Sequence, residues 1–185
     1  HEIRTPMNAI LGMAQLLADT PLEASQREYL EMAREASDSL LALINDILDF
    51  SKLEAGKLTL QNVSFSTEEL IKSVYSLIGP QAKSKGLEVS CNIDADVPPV
   101  LIGDPDRLRQ VLLNLAWNAV KFTSKGEVAV DIIAKSGDQL HFTVRDTGIG
   151  IPEEKQARLF NPFCQADAAT SRQYGGTGLG LSISR

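Results

Sequence analysis

A chain of 185 residues with 43% hydrophobic and 23% charged side chains can hold one medium domain, or a small one with a helical arm, and is too apolar for a disordered tail. Its formal net charge of −6, with scattered basic residues, lacks the electropositive face of a nucleic-acid binder. No apolar run approaches the ~20 residues of a membrane-spanning helix, and two cysteines without zinc-ligand spacing fit a reducing, cytoplasmic setting.

From Ile3 to Leu53 the apolar residues step by four and three. Ile3, Met7, Ile10, Ala14 and Leu17 form one run; after DTPLEAS, Tyr29, Ala33, Ala36, Leu40, Leu43, Ile47 and Phe50 form another. Two such helices around a short turn make an antiparallel hairpin. A lone hairpin cannot bury that stripe, so pairing into a homodimeric four-helix bundle is expected. Pro6 removes a backbone bond near residue 2 and predicts a local bend.

The period changes after LEAGKLTLQN. Ser66-Thr67-Glu68-Glu69 has the form of a capping box and opens a helix carrying Leu70, Val74, Leu77 and Ile78. LEVSCNI alternates with period two, as a half-buried strand does, with Cys91 in phase as a small core hydrophobe. DPDRLRQVLLNLAWNAVKF is a long helix, and EVAVDII with LHFTVRD reads as an antiparallel hairpin whose His141 lies on the sheet surface. PEEKQARLF is a short helix, and GLGLSISR begins another that the chain end cuts. Residues 63–185 therefore read as an α+β domain with helices on one face of an antiparallel-rich sheet, following a hairpin and linker over 1–62. The abrupt start at His1 and the cut last helix are expected to mark a piece of something longer.

Three stretches carry chemistry. On the long helix, Arg107, Asn114, Asn118 and Lys121 share one face, opposite a core stripe of Leu108, Val111, Leu112, Leu115, Ala119 and Phe122. Asn is a mediocre helix former, so two of them one turn apart need a reason. Either neighbouring loops satisfy them, or their amide oxygens face a hard cation such as Mg²⁺, with Lys121 meeting phosphate as a point charge. In VRDTGIGIP, Asp146 ends a strand beside Gly148 and Gly150. Its carboxylate can accept hydrogen bonds from an amino group such as adenine's, although a tight turn would read the same way. In YGGTGLGLSIS, Gly175, Gly176, Gly178 and Gly180 run into a helix start that favours anions, or form a hinge. The lysine of a Walker A loop is missing there.

Taken together, these stretches resemble the transmitter core of a sensor histidine kinase, along essentially the whole chain. HEIRTP resembles the phosphoacceptor box of that family, NLAWNAVKFT its asparagine box, DTGIGIP and GGTGLGL its glycine boxes, and FNPF its phenylalanine box. The wording around LDFSKLEAGKL and QADAATSRQYGGTGLGL is similar to the hybrid kinases, which carry receiver domains elsewhere. The resemblance implies an α/β-sandwich ATP-binding domain with ATP and Mg²⁺ as cofactors and Asn118 as the metal ligand. Asn114 and Lys121 would lie beside the phosphates, and Asp146 would read adenine in a pocket made with Gly148, Gly150 and Ile151. Residues 164–177 would be a lid hinged on Gly176 and Gly178, with Phe160 and Phe163 at its base or simply in the core. Thr177, Leu179 and Gly180 complete the nucleotide-binding set.

The resemblance also gives the opening pair a role. His1, with an unperturbed pKa of ~6.5, would attack phosphorus through one ring nitrogen while Glu2 holds the proton on the other. Thr5, one turn along, would orient water for a reverse phosphatase activity, and Arg4 reads as a solvated charge. The implied activity is ATP-dependent autophosphorylation of His1 and transfer to an aspartate of a response-regulator receiver domain. Membrane attachment would belong to segments absent from this chain. Two other readings compete: an ATP-hydrolysing clamp on the same nucleotide fold, which NLAW opposes by lacking an acid, and a dimeric scaffold with a degenerate kinase domain.

Overall fold

The four-three rhythm at the N-terminus becomes two helices in the computed structural model, which describes residues 3–136, 139–162, 164 and 178–184. They are α1 (Arg4–Ala18) and α2 (Ala24–Glu54). The chain divides into two compact units, 1–56 and 57–185. In the first, Thr20 closes α1 by donating its hydroxyl and its N–H to the Leu17 carbonyl at 2.7 and 3.1 Å. Glu23 starts α2, its N–H donating to Gln26 Oε1 at 3.0 Å. Gly56, at φ 61°, ends it in the left-handed conformation that glycine adopts without steric cost. The bend expected near residue 2 falls outside the described residues. Met7 is buried, yet Ile10, Leu17, Leu40, Leu43 and Ile47 of the predicted stripe stay exposed, and no residue of α2 is buried.

The second unit runs β1 (Val63–Ser66), α3 (Thr67–Ser84), β2 (Glu88–Ile93), β3 (Val100–Gly103), α4 (Pro105–Phe122), β4 (Glu127–Ala134), β5 (Leu140–Asp146), α5 (Glu153–Gln156) and α6 (Gly180–Ile183). Ser66 caps α3 by accepting from the Glu69 N–H at 3.3 Å. Among the described residues β1 pairs antiparallel with β3, and a three-stranded sheet has the order β2-β4-β5. The β4–β5 hairpin is antiparallel as expected, with His141 exposed and opposite Ile133. β2, however, lies parallel to β4, from Glu88 opposite Glu127 to Ile93 opposite Ile132. A parallel pair needs a long crossover, and β3 and α4 supply it.

Val128, Val130 and Ile132 of β4 are fully buried, and they meet Leu70, Val74 and Ile78 of α3 and Leu112, Ala116, Ala119 and Val120 of α4 in one core. Two expectations are corrected here. Leu77 is half exposed, because α3 turns Val74 and Ile78 inward instead. The buried face of α4 is rotated toward Ala116 and Val120, leaving Val111, Leu115 and Phe122 only half-buried. Small alanines at 116 and 119 let the helix approach its neighbours closely.

Both ends of α4 are fastened. Asp104 caps its start, accepting from the Arg107 N–H at 3.0 Å through Oδ1 and from the Gln61 N–H at 3.0 Å through Oδ2. The Gln61 bond, then the Arg107 bond, hold this carboxyl below the usual aspartate range. A carboxyl lowered in the folded state stabilises the fold above its unfolded value, and that contribution is lost as pH falls through the folded one. Asp104→Ala is therefore expected to lower stability by about 1 kcal/mol near neutrality. The gap from the unsubstituted chain should close in acid, as read by urea unfolding across pH; a gap independent of pH would contradict the charged cap.

Candidate active site

Asn114, Asn118 and Lys121 are all half-buried along one side of α4. Asn114 Nδ2 donates to the Gly180 carbonyl at 3.0 Å and to Ser184 Oγ at 3.3 Å, tying α4 to α6. A side chain at Gly180 would crowd that amide, since its Cβ would lie 3.3 Å from Asn114 Cγ. Asn114 thus follows the bland expectation of an amide satisfied by neighbours, whereas the Asn118 side chain makes no hydrogen bond among the described residues. Burial pushes the Lys121 ammonium below the ordinary lysine range, and its Nζ sits 5.0 Å from the Phe122 ring centre.

The last carbonyls of α4 are shared between two partners. Lys85 Nζ donates to the Val120 carbonyl at 2.8 Å and to the Lys121 carbonyl at 3.1 Å, a cationic cap where the helix dipole is negative. The Phe122 carbonyl accepts from the Ile149 N–H at 3.4 Å. That contact needs Gly148: a Cβ there would lie 2.5 Å from the Phe122 oxygen and 2.8 Å from Asp146 Oδ1. Asp146, at the end of β5, accepts from the Gly148 N–H at 2.9 Å, and Gly150 turns the chain at φ 68°.

An open cleft of about 540 Å³ lies beyond this loop, lined by Asp146, Gly148, Gly150, Ile151, Gln156, Leu159 and Phe160. Five of these were expected from sequence. Gln156 and Leu159 were not: they stand at helical spacing with Phe160 in PEEKQARLF, a pattern that does not by itself say what so short a helix faces. Gln156 Nε2 donates to the Ile151 carbonyl at 3.0 Å, joining α5 to the glycine loop. Phe160 is a wall of the cleft, 44% exposed.

The other expected residues are distributed as follows. Thr5 is exposed on α1. Gly178 takes φ 69°, while the Leu179 side chain is buried and its carbonyl accepts from the Ile183 N–H at 3.0 Å and from Ser182 Oγ at 2.8 Å. His1, Glu2, Phe163, Gly176 and Thr177 lie outside the described residues. No cluster of three or more His, Cys, Asp or Glu suited to a metal occurs among the described residues. A hard cation here would take the Asn118 amide oxygen and complete its shell with phosphate and water oxygens, as Mg²⁺ does.

Two protein families match the chain. Residues 1–56 match the His Kinase A (phospho-acceptor) domain, and residues 103–185 match the histidine kinase-, DNA gyrase B- and HSP90-like ATPase family. The chain is 46% identical over 189 residues to the signal transduction histidine-protein kinase BarA of Escherichia coli K12, covering all of this chain and 21% of BarA. It is 50% identical to the hybrid signal transduction protein dokA of Dictyostelium discoideum, covering 99% of this chain and 11% of dokA. Full-length ShkA in complex with AMPPNP superposes with a TM-score of 0.79 at 43% identity, over 99% of this chain and 38% of ShkA.

The chain belongs to the histidine kinases. It is similar to the transmitter core of their hybrid members and spans about a fifth or less of the length of BarA and dokA. In this kinase core the cleft lies at the C-terminal end of α4, and Gly148 brings its loop against that end of the helix carrying Asn114, Asn118 and Lys121.

Two outcomes test that arrangement. Gly148→Ala should lower adenine-nucleotide affinity by more than about tenfold, because the nearest atom a Cβ would meet is the Phe122 backbone oxygen and the next is the Asp146 carboxylate, so something must shift by more than a bond-angle adjustment; calorimetric titration with ADP reads it, and unchanged affinity would count against the close approach. Lys121 is discharged more easily than an ordinary lysine, and a bound polyanion favours its charged form. Nucleotide affinity should therefore fall as pH rises through the lowered lysine range, with net proton uptake in alkaline buffer. Lys121→Gln should abolish that dependence.

Proposed function

We propose that this chain is an ATP-dependent protein-histidine kinase that phosphorylates His1 and passes the phosphoryl group to an aspartate of a receiver domain. The observation that supports it most is the single helix end where the Asn114–Asn118–Lys121 side meets the Asp146–Gly150 loop through the Phe122 carbonyl. Asp146 would accept from the adenine amino group, with Gly148, Gly150, Ile151 and Phe160 around the ring. Asn118 would hold Mg²⁺, with Asn114 and Lys121 near the phosphates and the second glycine box, Gly176 to Gly180, along the phosphate chain. The cation would spread the charge of the transferring phosphoryl.

The chemistry of the step falls to His1. Its neutral ring nitrogen forms a bond to the γ-phosphorus as the bond to the β–γ bridging oxygen breaks, and ADP leaves. Glu2 holds the proton on the other ring nitrogen and stabilises the positive charge that develops there. The N–P bond is labile, so phosphohistidine is a carrier. Thr5 would orient water for the reverse phosphatase activity.

Residues 1–62 are assigned to dimerisation and phosphoacceptance with a linker, and 63–185 to nucleotide binding. The exposed apolar stripe of α1 and α2 supports a homodimer, because a contiguous apolar face of that length is covered in a stable protein. No described helix is long and apolar enough to cross a membrane, and a cytoplasmic location follows from the proposed partners.

Intact mass after incubation with Mg-ATP tests the proposal. One acid-labile phosphoryl adduct is expected, missing from His1→Gln and from Asn118→Ala. An adduct that survives His1→Gln would remove His1 as acceptor. Absence of both adduct and nucleotide binding in the unsubstituted chain would sink the reading.

A further inference from the structure

Thr147 lies between two residues of the proposed adenine site but does not line the cleft. Its backbone N–H donates to the Glu127 carbonyl at 3.2 Å. Its Oγ1 accepts from the Glu127 N–H at 3.0 Å and lies 3.4 and 3.5 Å from the Glu127 and Lys125 carbonyls, one of which takes the hydroxyl proton. One side chain thus ties the D-T-G-I-G loop to the turn between α4 and β4.

The turn is built to receive it. Gly126 has φ 115°, a conformation that side-chain-bearing residues rarely adopt. A Cβ on Gly126 would fall 2.1 Å from Thr147 Oγ1 and 3.2 Å from Thr147 Cβ. The turn cannot easily back away, because the Gly126 carbonyl accepts from the Glu88 N–H of β2 at 3.0 Å. The threonine hydroxyl therefore occupies the space that the glycine leaves empty. On one side of this latch stands Asp146, whose carboxylate accepts from Gly148, and on the other stands Gly148, pressed against the Phe122 carbonyl.

We infer that Thr147 is a positioning residue of the nucleotide site, and that position 126 is glycine in order to admit its hydroxyl. The inference rests on the proposal that Asp146 and Gly148 meet adenine. Thr147 does not touch the nucleotide; it fixes the point at which the Asp146 carboxylate leaves β5. Valine has nearly the same shape but no acceptor, so Thr147→Val leaves the Glu127 N–H without its partner. Serine keeps the hydroxyl.

The test compares Mg-ADP and Mg-GDP affinity of the full chain with that of Thr147→Val, Thr147→Ser and Gly126→Ala. Thermal unfolding and amide exchange at Gly148 and Ile149 are followed in parallel. Thr147→Val and Gly126→Ala should weaken ADP binding by up to about tenfold, the scale of one lost hydrogen bond. They should also narrow the preference for ADP over GDP and speed exchange at both amides. Thr147→Ser should stay within about twofold of the unsubstituted chain. Unchanged ADP affinity and exchange in Thr147→Val, with binding lost in Asp146→Asn, would overturn the inference and leave the nucleotide site standing. A loss in Thr147→Val that serine does not recover would overturn the role of the hydroxyl. An unsubstituted chain that binds neither nucleotide would remove the site, and this inference with it.

Discussion

A carbonyl oxygen with no side chain in front of it organises the second unit. The Phe122 oxygen, at the end of α4, faces Gly148 where a Cβ would stand 2.5 Å away. Only glycine lets a loop follow a helix end so closely, and here the approach brings the carboxylate of Asp146 to the foot of the helix carrying Asn118 and Lys121. The remaining α4 carbonyls are held from the other side by Lys85, and Asp104 holds the helix start. A helix fixed at both ends delivers its functional side with little freedom, and such preorganisation is what makes electrostatic stabilisation effective.

Charge sharpens that requirement. The chain carries a formal −6, so a nucleotide approaches a protein of its own sign. At physiological ionic strength fields fade beyond about 8 Å, and attraction must come from groups close to the phosphates. In the proposed site Lys121 would be one such group, and burial already raises the cost of its charge. A phosphate chain bound beside it would favour the charged form and offset that cost. Perturbed ionisation beside a cleft is a physical mark of a functional site. Here it agrees with the geometry, which is the stronger argument.

What the sequence made legible follows from the range of each signal. α2, α4 and the β4–β5 hairpin are long and periodic, and their patterns survive any arrangement of neighbours. β1 and β3 are four residues each, VSFS and VLIG, too short to show alternation. LEVSCNI reads as a strand, but its period of two says nothing of its partner's direction, so the parallel pairing with β4 was unreadable. The buried face of α4 was read from its large side chains, whereas Ala116 and Val120 carry it because small residues allow close packing. In the site, Asp146, Gly148 and Gly150 were legible because glycines needed for close approach leave a local trace. Gln156 and Leu159 were not, because a one-turn helix reveals its facing only once the loop before it is placed. The Gly126–Thr147 pair hid for a like reason: its two members are far apart in sequence and meet only across the β4–β5 hairpin.

The proposed reaction separates nucleophile and nucleotide onto two compact units, and this has a kinetic consequence. Holding reactants together supplies several kcal/mol of a barrier, but here that advantage is available only when both units are correctly presented. Two units joined by a short flexible linker have a mutual local concentration in about the millimolar range, so in the proposed reaction orientation would be the scarcer event. An enzyme arranged in this way need not tune its chemistry to be regulated. If the proposed reaction holds, a modest bias on the α1–α2 hairpin would change how often His1 meets the γ-phosphate in line, while the cleft around Asp146 would stay as it is. On that reading, the fastening of both ends of α4 and the exposed apolar stripe of the hairpin would serve one design: a nucleotide site held in place, and a helical partner whose packing could be changed.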